Sequence, residues 1–258
     1  MAKVLIGYSA CPLTRAAFEA HGHDVWTCDV LPARGSAPKH FQCDIWEVAE
    51  MPGWDFGLFH PMCTVLTTSS AWAFLDADFE RFPGVGYHQK VKPETLVGKA
   101  RRDQRDIEVA NFRRLLKLPY RKAIENPAVS FINTAIRPPT QVIHPFQHGD
   151  DASKATGLWL ADEDGWQSSD IPRIVPTGYA EPRLLCENRH QFRYGLDRCP
   201  TCGSGRYLPR WSNQTDSGQN RESPGAKRWL KRSETYPGIA AAWGDQWGRY
   251  LNELDNRR

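Results

Sequence analysis

Trp54-Asp55-Phe56-Gly57-Leu58-Phe59-His60-Pro61-Met62-Cys63-Thr64 is the stretch on which the fold turns. Its apolar run, residues 54–60, predicts a strand covered on both faces, as in a parallel sheet. Pro61 ends the run in a turn that delivers Cys63. Lys122-Ala123-Ile124-Glu125-Asn126-Pro127 repeats the arrangement and delivers a glutamate. Two parallel strands ending at one sheet edge bring a thiol and a carboxylate to the same place, which suits covalent chemistry on a ring.

Upstream, residues 3–8 read as a buried first strand, 9–12 as a turn and 13–21 as a short helix with Leu13, Ala16, Ala17 and Phe18 on its inner face. Residues 24–29 read as a second strand that ends in Asp29. This is a βαβ opening. Asp29 lies 20 residues after Ser9, where a Rossmann-type unit places the carboxylate that holds a ribose, although the glycine fingerprint is absent. Residues 41–45 predict a brief strand that ends near Asp44.

Downstream, residues 64–98 form a long irregular connection, a length that inside a compact domain is usually functional. A helix is expected over 101–118 with Val109, Phe112, Leu115 and Leu116 inward, then strands at 123–125, 140–146 and 156–160. Residues 209–228 read as a polar loop. The last helix, 239–254, carries Ile239, Trp243, Trp247 and Leu251 at fourfold spacing. The order predicts a Rossmann-like α/β domain built from residues 1–182 and 209–258, with an insertion at 183–208.

The 258 residues are 40% hydrophobic with a net charge of +3, enough for a sizeable core. No run approaches the roughly 18 apolar residues of a membrane span, and the N-terminus lacks a signal-peptide layout. The expectation is a soluble, cytoplasmic protein. Positive charge is concentrated: residues 183–232 hold 11 Lys and Arg against 4 Asp and Glu. Such a patch suits a polyanion.

Seven cysteines do not form an even oxidised framework. Cys11, Cys28, Cys43 and Cys63 are scattered. The other three follow Cys186-x3-His190-x8-Cys199-x2-Cys202, and Cys199-Pro200-Thr201-Cys202-Gly203 is a knuckle. Four N and S ligands at these spacings predict a closed, tetrahedral, structural zinc site.

A strand-end cysteine and carboxylate are also what cytosine C5 chemistry requires. Adding a thiolate at C6 while N3 gains a proton makes C5 nucleophilic. The proton donor is expected to have a pKa raised by an apolar pocket. On Pro61-Met62-Cys63 and Glu125-Asn126-Pro127 the chain resembles the cytosine-C5 DNA methyltransferases. It is most similar to short phage-encoded members, which share the blocks at His60 to Thr64, Glu125 to Pro127, Lys154 to Leu160 and Asn213 to Asn220.

That resemblance implies a Rossmann-like methyltransferase sheet, S-adenosylmethionine as donor, and DNA as partner, with the cytosine flipped out or single-stranded. A phage member would work in the host cytoplasm. It implies Cys63 as nucleophile, Glu125 at N3, and Lys154 and Thr156 near the cytosine O2. The cofactor would lie against Tyr8, Ser9, Ala10 and Cys11, with Asp29 and Val30 at the ribose, Asp44 and Ile45 at the adenine, and His60 and Asn220 alongside. The family's glycine-rich turn is replaced here by Tyr8 to Pro12, and no large recognition domain is present. Residues 64–98 would close over the base, and the zinc segment with Arg221 to Arg232 would contact phosphates. The alternatives are the same chemistry on a free cytosine nucleotide, a modified donor, or a non-catalytic DNA-binding protein of this fold.

Overall fold

A computed structural model describes residues 1–35, 38–76, 95–165, 170–221 and 234–257. The strands are β1 (Lys3–Gly7), β2 (Asp24–Cys28), β3 (His40–Phe41), β4 (Phe56–Phe59), β5 (Arg121–Pro127), β6 (Gln141–Ile143), β7 (Thr156–Ala161), β8 (Arg183–Cys186), β9 (Gln191–Phe192) and β10 (Tyr207–Arg210). The helices are α1 (Pro12–Glu19), α2 (Gly98–Leu116), the short α3 (Ile132–Ala135) and, at the C-terminus, α4 (Pro237–Asp255).

Seven strands form one sheet in the order β3-β2-β1-β4-β5-β7-β6. The first five pair in parallel, and β7 runs antiparallel to both of its neighbours. The order reverses between β1 and β4, so this is a mostly parallel Rossmann-like α/β sheet whose crevice opens at the carboxyl ends of those strands.

Alternate residues explain how both faces are covered. Val4, Ile6, Phe56, Leu58, Ala123, Leu158 and Leu160 point to a core shared with α1 and α4, where Phe18, Trp243 and Trp247 are buried. Leu5, Phe59, Ile124 and Trp159 point to the opposite core with Val109, Phe112 and Leu115 of α2. Burying each of the larger side chains contributes about 1.5–3 kcal/mol. Trp159 is wholly core, its indole donating to the Arg137 carbonyl at 2.8 Å. On α4 the fourfold series Ile239, Trp243, Trp247 and Leu251 is buried throughout. Gly244 lets this helix close on α1, because a Cβ there would lie 2.5 Å from that of Ala17.

Three local expectations differ. The inner face of α1 is Thr14 and Phe18, while Leu13 is 42% exposed. The helix takes its phase from Phe18, which packs against Phe56 at 6.2 Å. The strand expected over 41–45 stops at Phe41. Asp44 instead caps a short 3-10 turn at Ile45–Glu47, accepting from Trp46 N while Glu47 returns to Asp44 N. The insertion is its own three-stranded sheet, β10-β8-β9, and runs to Arg210 rather than 208.

Lys122 is fully buried at the opposite end of β5 from Glu125. Its ammonium donates to the carbonyls of Leu116 (3.0 Å), Leu118 (2.5 Å) and Asp162 (2.5 Å). Three acceptors take all three N–H groups, so the geometry favours the charged form, while burial pulls the pKa down to about 8. The group ties the end of α2 to the end of β7. Lys122→Met leaves these carbonyls without their donor and is expected to cost about 2–4 kcal/mol, read as a lower urea midpoint. An unchanged midpoint would remove Lys122 from the determinants of the fold.

Candidate functional site

The carboxyl edge begins with the turn after β1. Tyr8 sits at φ +58, a left-handed conformation that glycine usually supplies. Ser9 is buried and donates its N–H to the Cys28 carbonyl at 3.1 Å. Ser9 Oγ accepts from Cys11 N at 3.3 Å, and the Ala10 carbonyl accepts from Arg34 N at 3.1 Å. Cys11 is the residue before α1, whose first residue is Pro12. The turn is thus pinned on both sides despite having no glycine.

At the end of β2, Asp29 Oδ1 accepts from Leu31 N at 2.9 Å, and Val30 is 69% exposed. After β3, Asp44 Oδ1 is committed to Trp46 N, and Ile45 is buried in the core. The sheet order brings Tyr8, Asp29 and Asp44 to adjacent strand ends.

His60 and Cys63 follow β4, Glu125 lies within β5, and Lys154 and Thr156 lie at the start of β7. The β5–β7 register sets Pro127 opposite Thr156. Because β7 is antiparallel, its beginning meets the ends of the parallel strands. Glu125 is the electrostatic centre. His60 Nδ1 lies 3.2 Å from its Oε2, and Lys154 Nζ lies 3.9 Å from its Oε1. Burial pushes the Glu125 pKa up, but Lys154 and the His60 contact outweigh it, so the net shift is downward. This corrects the expectation of a raised pKa: the carboxylate is held ionised by two basic side chains.

His60, expected beside the cofactor, therefore serves Glu125. Its ring stands 5.7 Å from that of Trp243, and its buried Nε2 lacks a hydrogen-bond partner. Asn126 Nδ2 donates to the Pro61 carbonyl at 3.1 Å and so ties β5 to the turn before Cys63. Cys63 is exposed, and its carbonyl accepts from Leu66 N and Thr67 N, both at 3.0 Å. Arg101 on α2 holds the next residue, donating to the Thr64 carbonyl at 2.7 Å. Thr156 is buried and donates to the Lys154 carbonyl at 3.3 Å, so its hydroxyl positions backbone.

Asn220 pairs with Gln214 in the 211–221 loop. That loop is seated by Asn213, which accepts from Ser153 N at 2.9 Å and donates to Ser153 O at 3.0 Å, next to Lys154. Asn220 is thus in a loop that Asn213 anchors to the residue before Lys154. Asn213 and Arg101 escape a sequence reading because their partners lie 60 and 37 residues away. The closing loop lies in part outside the described residues, at 77–94, as do residues 222–232 of the expected phosphate contacts.

Cys186, His190, Cys199 and Cys202 converge, with all four ligand atoms within 4.8 Å of one another. Cys186 Sγ and Cys202 Sγ are 3.7 Å apart, and Cys199 Sγ is 3.8 Å from His190 Nδ1. A tetrahedral ion with metal–sulfur bonds of about 2.3 Å requires sulfurs about 3.8 Å apart. The cluster can therefore hold a metal ion such as zinc. Asn188 Nδ2 donates to Cys202 Sγ at 3.4 Å and, with the Ser204 backbone and His190, holds the thiol at about 6. Gly203, at φ +71, turns the chain so that its N–H reaches the Cys199 carbonyl. The surrounding core is small: Leu184, Phe192 and two of the cysteines are its buried members.

No family model matches the chain, and no curated protein matches it. The functional reading rests on the residues themselves.

The expected metal content is one zinc ion per chain by atomic absorption, lost in Cys199→Ser. Removing the metal should open residues 183–210 to protease while the seven-stranded sheet persists. Protein with no bound metal and unchanged cleavage would contradict a metal-ordered insertion.

Proposed function

We propose that this protein transfers a methyl group from S-adenosylmethionine to C5 of cytosine in DNA, through a covalent bond between Cys63 Sγ and C6. The observation that carries the reading is the partly buried carboxylate of Glu125, held between His60 and Lys154 beside the turn that presents an exposed cysteine.

The donor site is supported by three features at adjacent strand ends. Asp29 offers an acceptor carboxylate at the end of β2, suited to a ribose diol. Tyr8 supplies the left-handed turn for which the resembling family uses glycine. Asp44 supports the adenine reading less well, since one oxygen already caps the turn at Ile45–Glu47. Tyr8 to Cys11, Asp29 and Val30 would hold the donor, which when bound supplies an electrophilic methyl. Zinc in the four-ligand cluster would be structural, because no ligand position remains open.

The chemistry of the chain's own residues follows. The Cys63 thiolate adds to C6, and the electron pair released toward N3 is met by a proton. Glu125, ionised at rest, hydrogen-bonds N3 and relays to it a proton drawn from solvent, with His60 and Lys154 holding the carboxylate in place. C5, now an enamine carbon, would take the methyl as its bond to the donor's sulfonium sulfur breaks, leaving S-adenosylhomocysteine. Loss of the C5 proton to solvent water, return of the N3 proton through Glu125 and departure of the thiolate from C6 restore the aromatic ring. A base paired within a duplex cannot reach Cys63, so the cytosine is extrahelical when it reacts. The exposed arginines of the insertion, Arg189, Arg193, Arg198 and Arg206, suit phosphate contacts.

Trapping with 5-fluorocytosine tests the reading, since fluorine at C5 cannot leave as a cation. An oligonucleotide carrying it, incubated with the protein and S-adenosylmethionine, should give a covalent species by intact-mass spectrometry. Cys63→Ser should abolish it. Glu125→Gln should slow its formation by about 10²–10⁴-fold. A wild-type protein that forms no adduct would overturn the proposal.

A further inference from the structure

Beyond the catalytic edge, a row of aromatic rings leads away from Lys154. Asn213 hydrogen-bonds Ser153, the residue before it. Trp211, two residues earlier in the same loop, stacks on Phe146 at 4.3 Å and 16°. Tyr179 meets Phe146 edge-on at 5.8 Å, and Tyr194 of the basic insertion stands 6.1 Å from Tyr179. The inner rings are covered, Trp211 being only 8% exposed. The outer two are not: Tyr179 is 53% exposed and Tyr194 46%.

The platform is held rigidly. Thr177 N and Gly178 N both donate to the Gln147 carbonyl, and Ala180 N donates to that of Phe146. The Ala180 carbonyl in turn accepts from Trp211 Nε1 at 3.0 Å. The residues on either side of Tyr179 are therefore fixed, so its ring is presented to solvent at little entropic cost on binding.

The charge around them selects the occupant. Residues 183–210 hold six arginines against Glu187 and Asp197. Arg193 is the sequence neighbour of Tyr194, and it is exposed. Exposed aromatic rings beside cationic side chains match the recognition of single-stranded nucleic acid, in which bases stack and phosphates pair. An acidic peptide would use the arginines but not the rings. A duplex buries its base faces and offers the tyrosines nothing to stack on.

We infer that Tyr179 and Tyr194, with Arg193, form a stacking platform that holds unpaired DNA bases next to the catalytic edge. The inference rests on the proposed reading of DNA as substrate, and it deepens it. The strand is engaged in single-stranded form on the flank of the target cytosine, and the small insertion takes the place of a large recognition domain.

The test is fluorescence anisotropy with the full, metal-loaded chain and no S-adenosylmethionine. Three labelled probes are compared: a mixed-sequence single strand, its duplex, and a single strand of abasic sites. The wild type should bind the mixed single strand about tenfold or more tighter than the abasic one. Tyr179→Ala and Tyr194→Ala should each weaken mixed-strand binding about tenfold, leaving abasic binding unchanged. Tyr194→Phe should retain affinity, because the ring is kept. Both tyrosines are exposed, so the alanine variants should fold, as thermal melts will check. Equal losses on the mixed and abasic strands, unchanged affinity in both alanine variants, or tighter binding of the duplex would overturn the platform. The assay needs no catalysis. Ring-dependent strand binding without a covalent adduct would retain the platform and discard the chemistry. An adduct without ring-dependent binding would do the reverse.

Discussion

The parallel pairing of β4 with both β1 and β5 is the constraint on which the site depends. It places the ends of all three strands along one edge, so residues 8, 60 and 125 come together although the chain separates them widely. The reversal of strand order between β1 and β4 opens a crevice there. The antiparallel entry of β7 then adds Lys154, which arrives at the start of its strand rather than the end. A sheet with β7 parallel would carry that lysine to the far edge. Glu125 would lose Lys154, the largest of the influences that lower its pKa.

Two different means of stabilisation meet in this chain. The seven-stranded body is held by apolar cores on both faces, with Trp243 and Trp247 of α4 closing one of them. The insertion has too little apolar surface to fold that way, as its few buried residues show. A metal held by four side chains can replace the missing core. A segment ordered in that way can expose most of its surface, arginines and tyrosines included. Among the described residues no helix is long and apolar enough to cross a membrane.

What was legible in the sequence follows from local physics. The apolar runs at β1 and β4, the fourfold spacing of α4 and the Cys–His spacing all depend on near neighbours, and each appears where expected. Leu13 was assigned inward from its apolarity, but the phase of α1 is set by Phe18 against a distant strand. Asp44 looked like a strand end because its capping partner, Glu47, acts through the backbone. The missing glycine at the first turn looked like a departure, yet Tyr8 adopts the left-handed conformation itself, which residue identity does not announce. The direction of the Glu125 shift escapes the sequence for a related reason. Burial could be foreseen from an apolar strand, but the two basic side chains come from the start of β7 and from the far side of a proline turn. The aromatic row from Trp211 to Tyr194 joins four separate stretches of chain and has no periodic signature at all.

Cys63 is the proposed nucleophile toward cytosine, poised beside a carboxylate that two basic side chains hold in place. Nucleoside mass spectrometry of DNA from cells expressing the protein tests it most directly. The expected result is 5-methyldeoxycytidine above the host background with the wild-type chain, and none with a folded Cys63→Ser variant. DNA without a modified cytosine, or modification that survives the loss of the thiol, would contradict it.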